Sequence, residues 1–301
     1  MTSNVAQPGI DTKRGWLGAL ENAASQMGRL EISLLLTLLL LVFYPPRYVY
    51  ISLPLSVIAI AAIVLPTLRH NRYVWLFAAF LVGAVSLSNW HSTDNHKYLL
   101  CYWCLAIFCS FSTKDPEQSL AQIARWLIAA VFSIAVLQKF LSSDYLNSDF
   151  FYFELLFDKR FSGLAQYVGG IQEFINDLNT SARHALVNYD SALIAVKLSS
   201  NSSLLYLAKF ITWWNFLIQV MIAVSFLAPT QTWLAKWRHP MLLVFLFCTY
   251  LFAPVIGFGW VLIILGIAQL DPAATRTRLL YLLAFILLQI YKYPWSSLMP
   301  S

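Results

Sequence analysis

The sequence predicts an all-α, polytopic membrane protein of about eight to nine spans, with a cytoplasmic N-terminus, an amphipathic N-terminal helix and an outer-side helical cap. Three observations predict it. Of the 301 residues, 59% are apolar and only 11% are charged, against about 25% charged in an ordinary soluble domain. So few polar groups cannot cover the surface of the chain, and lipid must solvate much of it; the mean hydropathy of +0.65 agrees. The apolar runs are long and continuous rather than alternating, which implies helices and not a barrel.

The net charge of +6 comes from Lys and Arg lying between apolar runs, where the positive-inside bias puts them. No basic block carries interleaved aromatics, so no nucleic-acid partner is expected.

Residues 1–30 read as a polar N-terminus and an amphipathic surface helix. Trp16, Leu17, Leu20, Ala23, Ala24, Met27 and Leu30 recur at helical spacing, while Lys13, Arg14, Glu21 and Arg29 fall elsewhere. No cleavable leader is expected, because the first apolar run leads into Pro45-Pro46-Arg47 and not into small residues.

Residues 31–140 hold the first five spans, about 31–44, 48–67, 73–89, 97–112 and 119–140. Leu68-Arg69-His70-Asn71-Arg72 closes the second, and Lys114-Asp115-Pro116-Glu117-Gln118 separates the fourth from the fifth. A span needs about 20 residues, so the first and fourth must draw on their flanks.

Residues 141–203 are too long for an ordinary loop, which rarely exceeds about 15 residues. They are also too aromatic for disorder, with Phe150-Phe151-Tyr152-Phe153 followed by Leu155-Leu156-Phe157. They read as an outer interfacial cap of short helices. Its Glu154, Asp158 and Arg160 either contact a substrate or pair with one another.

Residues 204–301 hold the last spans. One runs over about 204–228 and ends at Pro229. The apolar stretch 240–270 is broken by Pro254, Gly257 and Gly259 and reads as two short spans joined by a tight turn there. The last covers about 277–293.

Counting Lys and Arg orients the chain. With the N-terminus inside, Arg29, Arg69, Arg72, Lys114, Lys236, Arg238, Arg276 and Arg278 are cytoplasmic, and the short outer connections carry only Arg47 and Lys97. The Trp90–Lys97 loop and the end of the fifth span then share the outer side.

That side holds the candidate chemistry. Lys139 follows an uncharged run from Leu127 to Leu137. An amine at the edge of hydrocarbon is poorly solvated as an ammonium and is a candidate general base. The alternative is a lysine that snorkels to the headgroups. His96 opens the fourth span and is a candidate proton shuttle or donor to an oxyanion. Asp94 or Thr93 can cap that helix. Trp90, His91, Asp94, Asn95 and Tyr98 surround His96 in sequence and are the candidate substrate-binding residues. His91, Asp94 and His96 are too weak a set to expect a metal.

Cys101 and Cys104, three apart on one helix face, could form a redox pair, but packing inside a span is the more common role for such thiols. Asn215 and Gln219 put amides into the sixth span, where amides usually bond across helices.

At these residues the sequence resembles the HTTM (horizontally transferred transmembrane) family, which is similar to the membrane part of vitamin K-dependent gamma-carboxylase. The matching residues are Asn95-His96-Lys97-Tyr98-Leu99, and Leu137-Gln138-Lys139-Phe140 with Tyr145 and Leu146 after it. A later short-span pair carrying Gly257-Phe258-Gly259-Trp260 and then Asp271-Pro272 fits the same layout. The resemblance implies a base at Lys139 that deprotonates a reduced quinone, assisted by His96, in a site facing away from the cytoplasm.

The sequence departs from the family at Gln219, which stands where an acidic residue is common, and at Cys248 and Thr249, where the family carries a histidine. It shows no counterpart of the domain that grips the carboxylase's protein substrate, so protein glutamate carboxylation is not expected.

The functional expectation is an HTTM-like integral membrane protein, multi-pass in the cell membrane (a bacterial inner membrane), with an outward-facing pocket. Base chemistry there acts on a quinone-like or other lipid-phase molecule through Lys139 and His96. The alternative is a non-catalytic scaffold or partner-binding subunit of a membrane complex. The expected partners are membrane lipid and either a hydrophobic small molecule or a membrane protein. A quinone is the expected cofactor class, with no metal. Asn179 and Asn201 lie in glycosylation sequons, which count for nothing in a bacterial cell.

Overall fold

The computed structural model describes residues 27–46, 48–91, 93–172, 175, 177–182, 200–252 and 255–290. Most of the expected N-terminal surface helix, Pro254 and the stretch 183–199 of the cap segment lie outside them. Among the described residues the chain is all-helical, with no strand.

Among the described residues nine longer helices follow the apolar runs: α1 (Arg29–Phe43), α2 (Val49–Val64), α4 (Arg72–Ser88), α5 (Asn95–Ser110), α6 (Pro116–Leu141), α10 (Ser202–Leu227), α11 (Arg238–Phe252), α12 (Ile256–Ala268) and α13 (Thr275–Ile290). Short pieces connect them: α3 (Pro66–Arg69), and in the cap α7 (Ser143–Leu146), α8 (Asp149–Phe157), a 3₁₀ turn at Lys159–Phe161 and α9 (Ser162–Tyr167). A second 3₁₀ segment, Trp233–Trp237, leads into α11.

Local chemistry sets the boundaries. Pro116 occupies the first turn of α6, where its missing N–H is harmless, and the Asp115 carboxylate accepts from Gln118 N at 3.0 Å. The Asn71 side chain caps α4 by accepting from Tyr73 N at 3.0 Å. Asn201 caps α10 through Leu204 N at 2.8 Å, and its amide donates to Gly169 O at 2.9 Å. Gly170, at φ +68°, makes that turn cheaply, because a Cβ disfavours the left-handed region.

Among the described residues two helices, α6 and α10, are long and apolar enough to cross a membrane. Each has 26 residues, about 39 Å at 1.5 Å per residue, against a hydrocarbon core of about 30 Å. They pack on each other and turn Ile134, Leu137, Phe140, Phe210 and Leu217 outward as exposed apolar side chains.

The centre of the bundle is α12. Its sequence, I-G-F-G-W-V-L-I-I-L-G-I-A, has no polar side chain, and Trp260 through Ala268 are all buried. A helix apolar all round must be covered all round. Here α1, α5, α6, α11 and α13 cover it.

Gly257 and Gly259 were expected in a turn, and the structure corrects this by placing both inside α12. They are close-approach positions. A Cβ on Gly259 would lie 3.1 Å from the Tyr250 ring, and one on Gly266 would lie 2.5 Å from Tyr281.

The buried indoles keep their N–H groups satisfied, as they must in hydrocarbon. Trp260 donates to Leu36 O at 3.0 Å, Trp103 to Thr37 Oγ1 at 2.8 Å and Trp75 to Arg69 O at 2.8 Å.

The two ends of the bundle are built differently. At one end Arg29 pairs with Glu117 at 2.7 Å, Arg69 pairs with Glu31, Arg72 donates to Ser112 Oγ at 3.0 Å, and Arg278 donates to Met27 O at 2.9 Å. At the other end the cap builds its own apolar cluster, with Tyr145, Phe151, Leu155, Phe157 and Phe161 packed on Leu204 and Ala208 of α10.

Candidate functional site

Four elements converge below the cap. The start of α5, the second half of α6, Gln219 of α10 and the start of α12 enclose a cavity of about 570 Å³. Asp94, Asn95, His96, Tyr98 and Tyr102 line one wall, Gln138 and Lys139 another, and Val255 and Phe258 a third. The apolar part comes from Leu127, Val131, Phe132 and Ile134 of α6.

Lys139 lies in the last turn of α6 and is half-buried. Its amine turns into the bundle instead of out to the headgroups. Nζ donates to Gln219 Oε1 at 2.6 Å and lies 5.2 Å from the centre of the Tyr145 ring. Gln219 Nε2 donates to Asn215 Oδ1 at 2.8 Å, and Asn215 Nδ2 donates to the Tyr145 hydroxyl at 2.7 Å.

The result is a hydrogen-bonded chain, Lys139–Gln219–Asn215–Tyr145, joining α6, α10 and α7. Spacing builds it: Asn215 and Gln219 are four apart and share a helix face. Burial pushes the Tyr145 phenol up, although the Asn215 hydrogen bond opposes the shift. Among the described residues no carboxylate pairs with Lys139.

His96 occupies the first turn of α5 and packs against bare backbone. A Cβ on Gly257 would fall 2.6 Å from His96 Nε2 and 2.7 Å from Cδ2. The glycine is what lets the imidazole sit at the mouth of α12. Among the described residues no side chain or backbone group hydrogen-bonds the ring.

Asp94 precedes α5 in an extended conformation, but its carboxylate makes no capping bond. Thr93 does not cap the helix either, since its hydroxyl donates to Asn89 O at 2.8 Å. The expected cap is therefore corrected: Asp94 lines the cavity and faces the charge of Arg160 in the cap. Glu154, Asp158 and Arg160 resolve as mutual partners, with Arg160 Nε donating to Asp158 Oδ2 at 2.7 Å. Burial pushes the Asp158 carboxyl up, but the side-chain and backbone hydrogen bonds from Arg160 outweigh it and hold the group below its ordinary range.

No family model matches the chain, and no curated protein or solved structure matches it. The chemistry of the site rests on its own residues.

Of the sequence-predicted residues, the structure brings Asp94, Asn95, His96, Tyr98 and Lys139 to one cavity. Tyr98 also donates to Ser86 O at 2.9 Å, which fixes its ring. Trp90 and His91 are not on that wall. Both are exposed and meet each other edge to face at 6.1 Å.

The sequence reading missed Gln219, Asn215 and Tyr145 as site residues. The signal was the amide pair four residues apart, which resembles ordinary interhelical bonding. Cys104 is fully buried, and Cys101 Sγ lies 3.3 Å from Ala79 O. Among the described residues no group of three or more His, Cys, Asp or Glu side chains could hold a metal ion.

Chemically, the cavity offers an amine whose acceptor is a neutral amide, an unbonded imidazole, and apolar walls from α6. That set suits removal of a proton from a hydroxyl on an apolar molecule, with an imidazole N–H donating to the oxyanion left behind.

Proposed function

We propose that this chain is a multi-pass membrane protein of about eight to nine spans, HTTM-like, whose outward-facing pocket performs base chemistry on a quinone-like or other lipid-phase molecule. The span count is supported by the run of helices from α1 to α13, by the two full-length apolar helices, and by the gathering of Arg29, Arg69, Arg72 and Arg278 at one end. Family kinship is supported by the two short motifs around His96 and Lys139.

One observation carries the functional reading. Lys139 and His96 line the same cavity, and Lys139 has a neutral acceptor. A carboxylate at Gln219 would hold the proton on the amine as an ion pair, and an amide does not. Lys139 takes the proton of a ring hydroxyl, His96 donates to the resulting oxyanion, and the α6 wall receives the apolar body.

The alternative is a non-catalytic subunit. It is favoured by the exposed apolar faces of α6 and α10, which suit another membrane protein as well as lipid.

The test is purification in mild detergent, followed by mass spectrometry of what co-purifies with the wild type and with Lys139→Ala. A quinone-like molecule depleted in the variant supports the pocket chemistry. Ordinary phospholipids in equal amounts from both would overturn it and favour the scaffold.

A further inference from the structure

We infer that the inner rim of the bundle, where α6, α10 and α11 meet, binds the phosphate headgroup of an anionic phospholipid. The inference needs the membrane orientation proposed above but is independent of the chemistry at Lys139.

Two guanidiniums converge there on one backbone oxygen. Arg125 of α6 donates from Nε to Phe226 O at 2.9 Å and from Nη2 to Ala228 O at 2.7 Å. Arg238 of α11 donates from Nε to Ser225 O at 2.9 Å, and its Nη2 reaches the same Ala228 oxygen. Arg238 is only 8% exposed. Neither Nη1 has a partner among the described residues.

These are like charges held side by side with no carboxylate between them. The whole stretch from residue 191 to residue 270 contains no Asp or Glu. Among the described residues the acids at this end of the bundle are engaged elsewhere: Glu31 with Arg69 and His70, Glu117 with Arg29, Asp115 in capping α6, and Asp271 with Ala273 N.

Among the described residues the only compensation is the C-terminus of α10, worth about half a negative charge. Two guanidiniums against that leave a surplus of roughly one and a half positive charges, and a buried, uncompensated charge is costly. A phosphodiester supplies one full negative charge and acceptor oxygens for the unused N–H groups.

The surroundings favour a lipid over a free anion. Exposed Lys236 lies two residues before Arg238, between exposed Trp233 and Trp237. The Arg125 guanidinium lies 5.1 Å over the ring of Trp126, which is also exposed. Tryptophans prefer the headgroup level, with the indole N–H toward water and the ring toward acyl chains. Basic residues beside them, between spans on the cytoplasmic side, are the usual cradle for anionic headgroups.

The experiment is a thermal-unfolding titration of the purified full chain in a neutral detergent, followed by tryptophan fluorescence. Phosphatidylglycerol, phosphatidylcholine and inorganic phosphate are added separately. The expected result is a saturable rise in Tm with phosphatidylglycerol alone.

Lys236→Gln removes an exposed charge with no bond to break, so the fold is kept. It should weaken the phosphatidylglycerol effect roughly fivefold. Lys209→Gln, an exposed charge near the other end of α10, should leave it unchanged. An equal rise with phosphatidylcholine overturns the proposal, as does a rise with inorganic phosphate alone. Equal weakening by the two variants would reduce the effect to net charge and also overturn it.

Discussion

Lys139 Nζ donates to Gln219 Oε1 at 2.6 Å, which ties the end of α6 to the interior of α10 through a neutral acceptor. The contact separates a structural role for Gln219 from a chemical one. Gln219→Leu strands the amine and Asn215 Oδ1 at a buried site, at a cost of about 1–3 kcal/mol. Gln219→Glu also loses the donor to Asn215 Oδ1, but it keeps an acceptor for the amine and adds an ion pair, so it should cost less than Gln219→Leu. If Lys139 is a base, Gln219→Glu should still lose the co-purified lipid-phase ligand and any turnover, since the carboxylate keeps the amine protonated. Thermal unfolding and ligand mass spectrometry on both variants check this. A Gln219→Glu protein with unchanged ligand content would sink the base assignment.

The contact between Gly257 and His96 makes an unusual prediction for a helix glycine. Alanine is favoured over glycine in a helix by about 1 kcal/mol. At Gly257 the added methyl would sit 2.6 Å from His96 Nε2, and overpacking typically costs about 1–3 kcal/mol. Gly257→Ala should therefore lower Tm. Combined with His96→Ala, the same substitution should become neutral or stabilising. The coupling is read from a double-mutant cycle, and additive effects would mean that the two residues do not touch.

The helices are legible in the sequence because most are apolar runs closed by a proline or a charged link, as at Pro116 and at Arg69–Arg72. The glycines of α12 are not, because in one dimension glycine signals a turn. Whether its missing Cβ instead makes room for His96 depends on a neighbour 161 positions away (257 − 96). The relay through Asn215 is hidden for the same reason, since an amide inside a span looks alike whether it bonds a helix or a catalytic amine. Asp94 shows the reverse case: its residue type and position suit a cap, yet its carboxylate makes no capping bond and the residue lines the cavity instead.

Tyr145 links the relay to the cap and carries a pH signature. Its phenol is pushed up by burial, so the folded state holds the proton when the unfolded chain releases it. The contribution to stability is present below the ordinary tyrosine range, near 10, and is lost as the pH rises above it. Tyr145→Phe should flatten that alkaline decline relative to the wild type. The comparison is between the two Tm profiles from pH 8 to 11. Parallel profiles would mean that the phenol is not held in a buried setting. At neutral pH the variant should cost about 1 kcal/mol, for the lost acceptor of Asn215.

The topology makes the last prediction. With the N-terminus inside, as proposed, α4 would emerge at the outer face and Trp90 would lie in an exterior loop, whereas the 3₁₀ segment between α10 and α11 would lie at the inner face. Both Trp90 and Lys236 are exposed. In a background lacking Cys101, Cys104, Cys109 and Cys248, Trp90→Cys should react with a membrane-impermeant maleimide added to intact cells. Lys236→Cys should react only after the membrane is opened. The reverse pattern would turn the cavity toward the cytoplasm and place the Arg125–Arg238 rim outside. Equal labelling of both from outside would be incompatible with α5, α6 and α10 all crossing the bilayer.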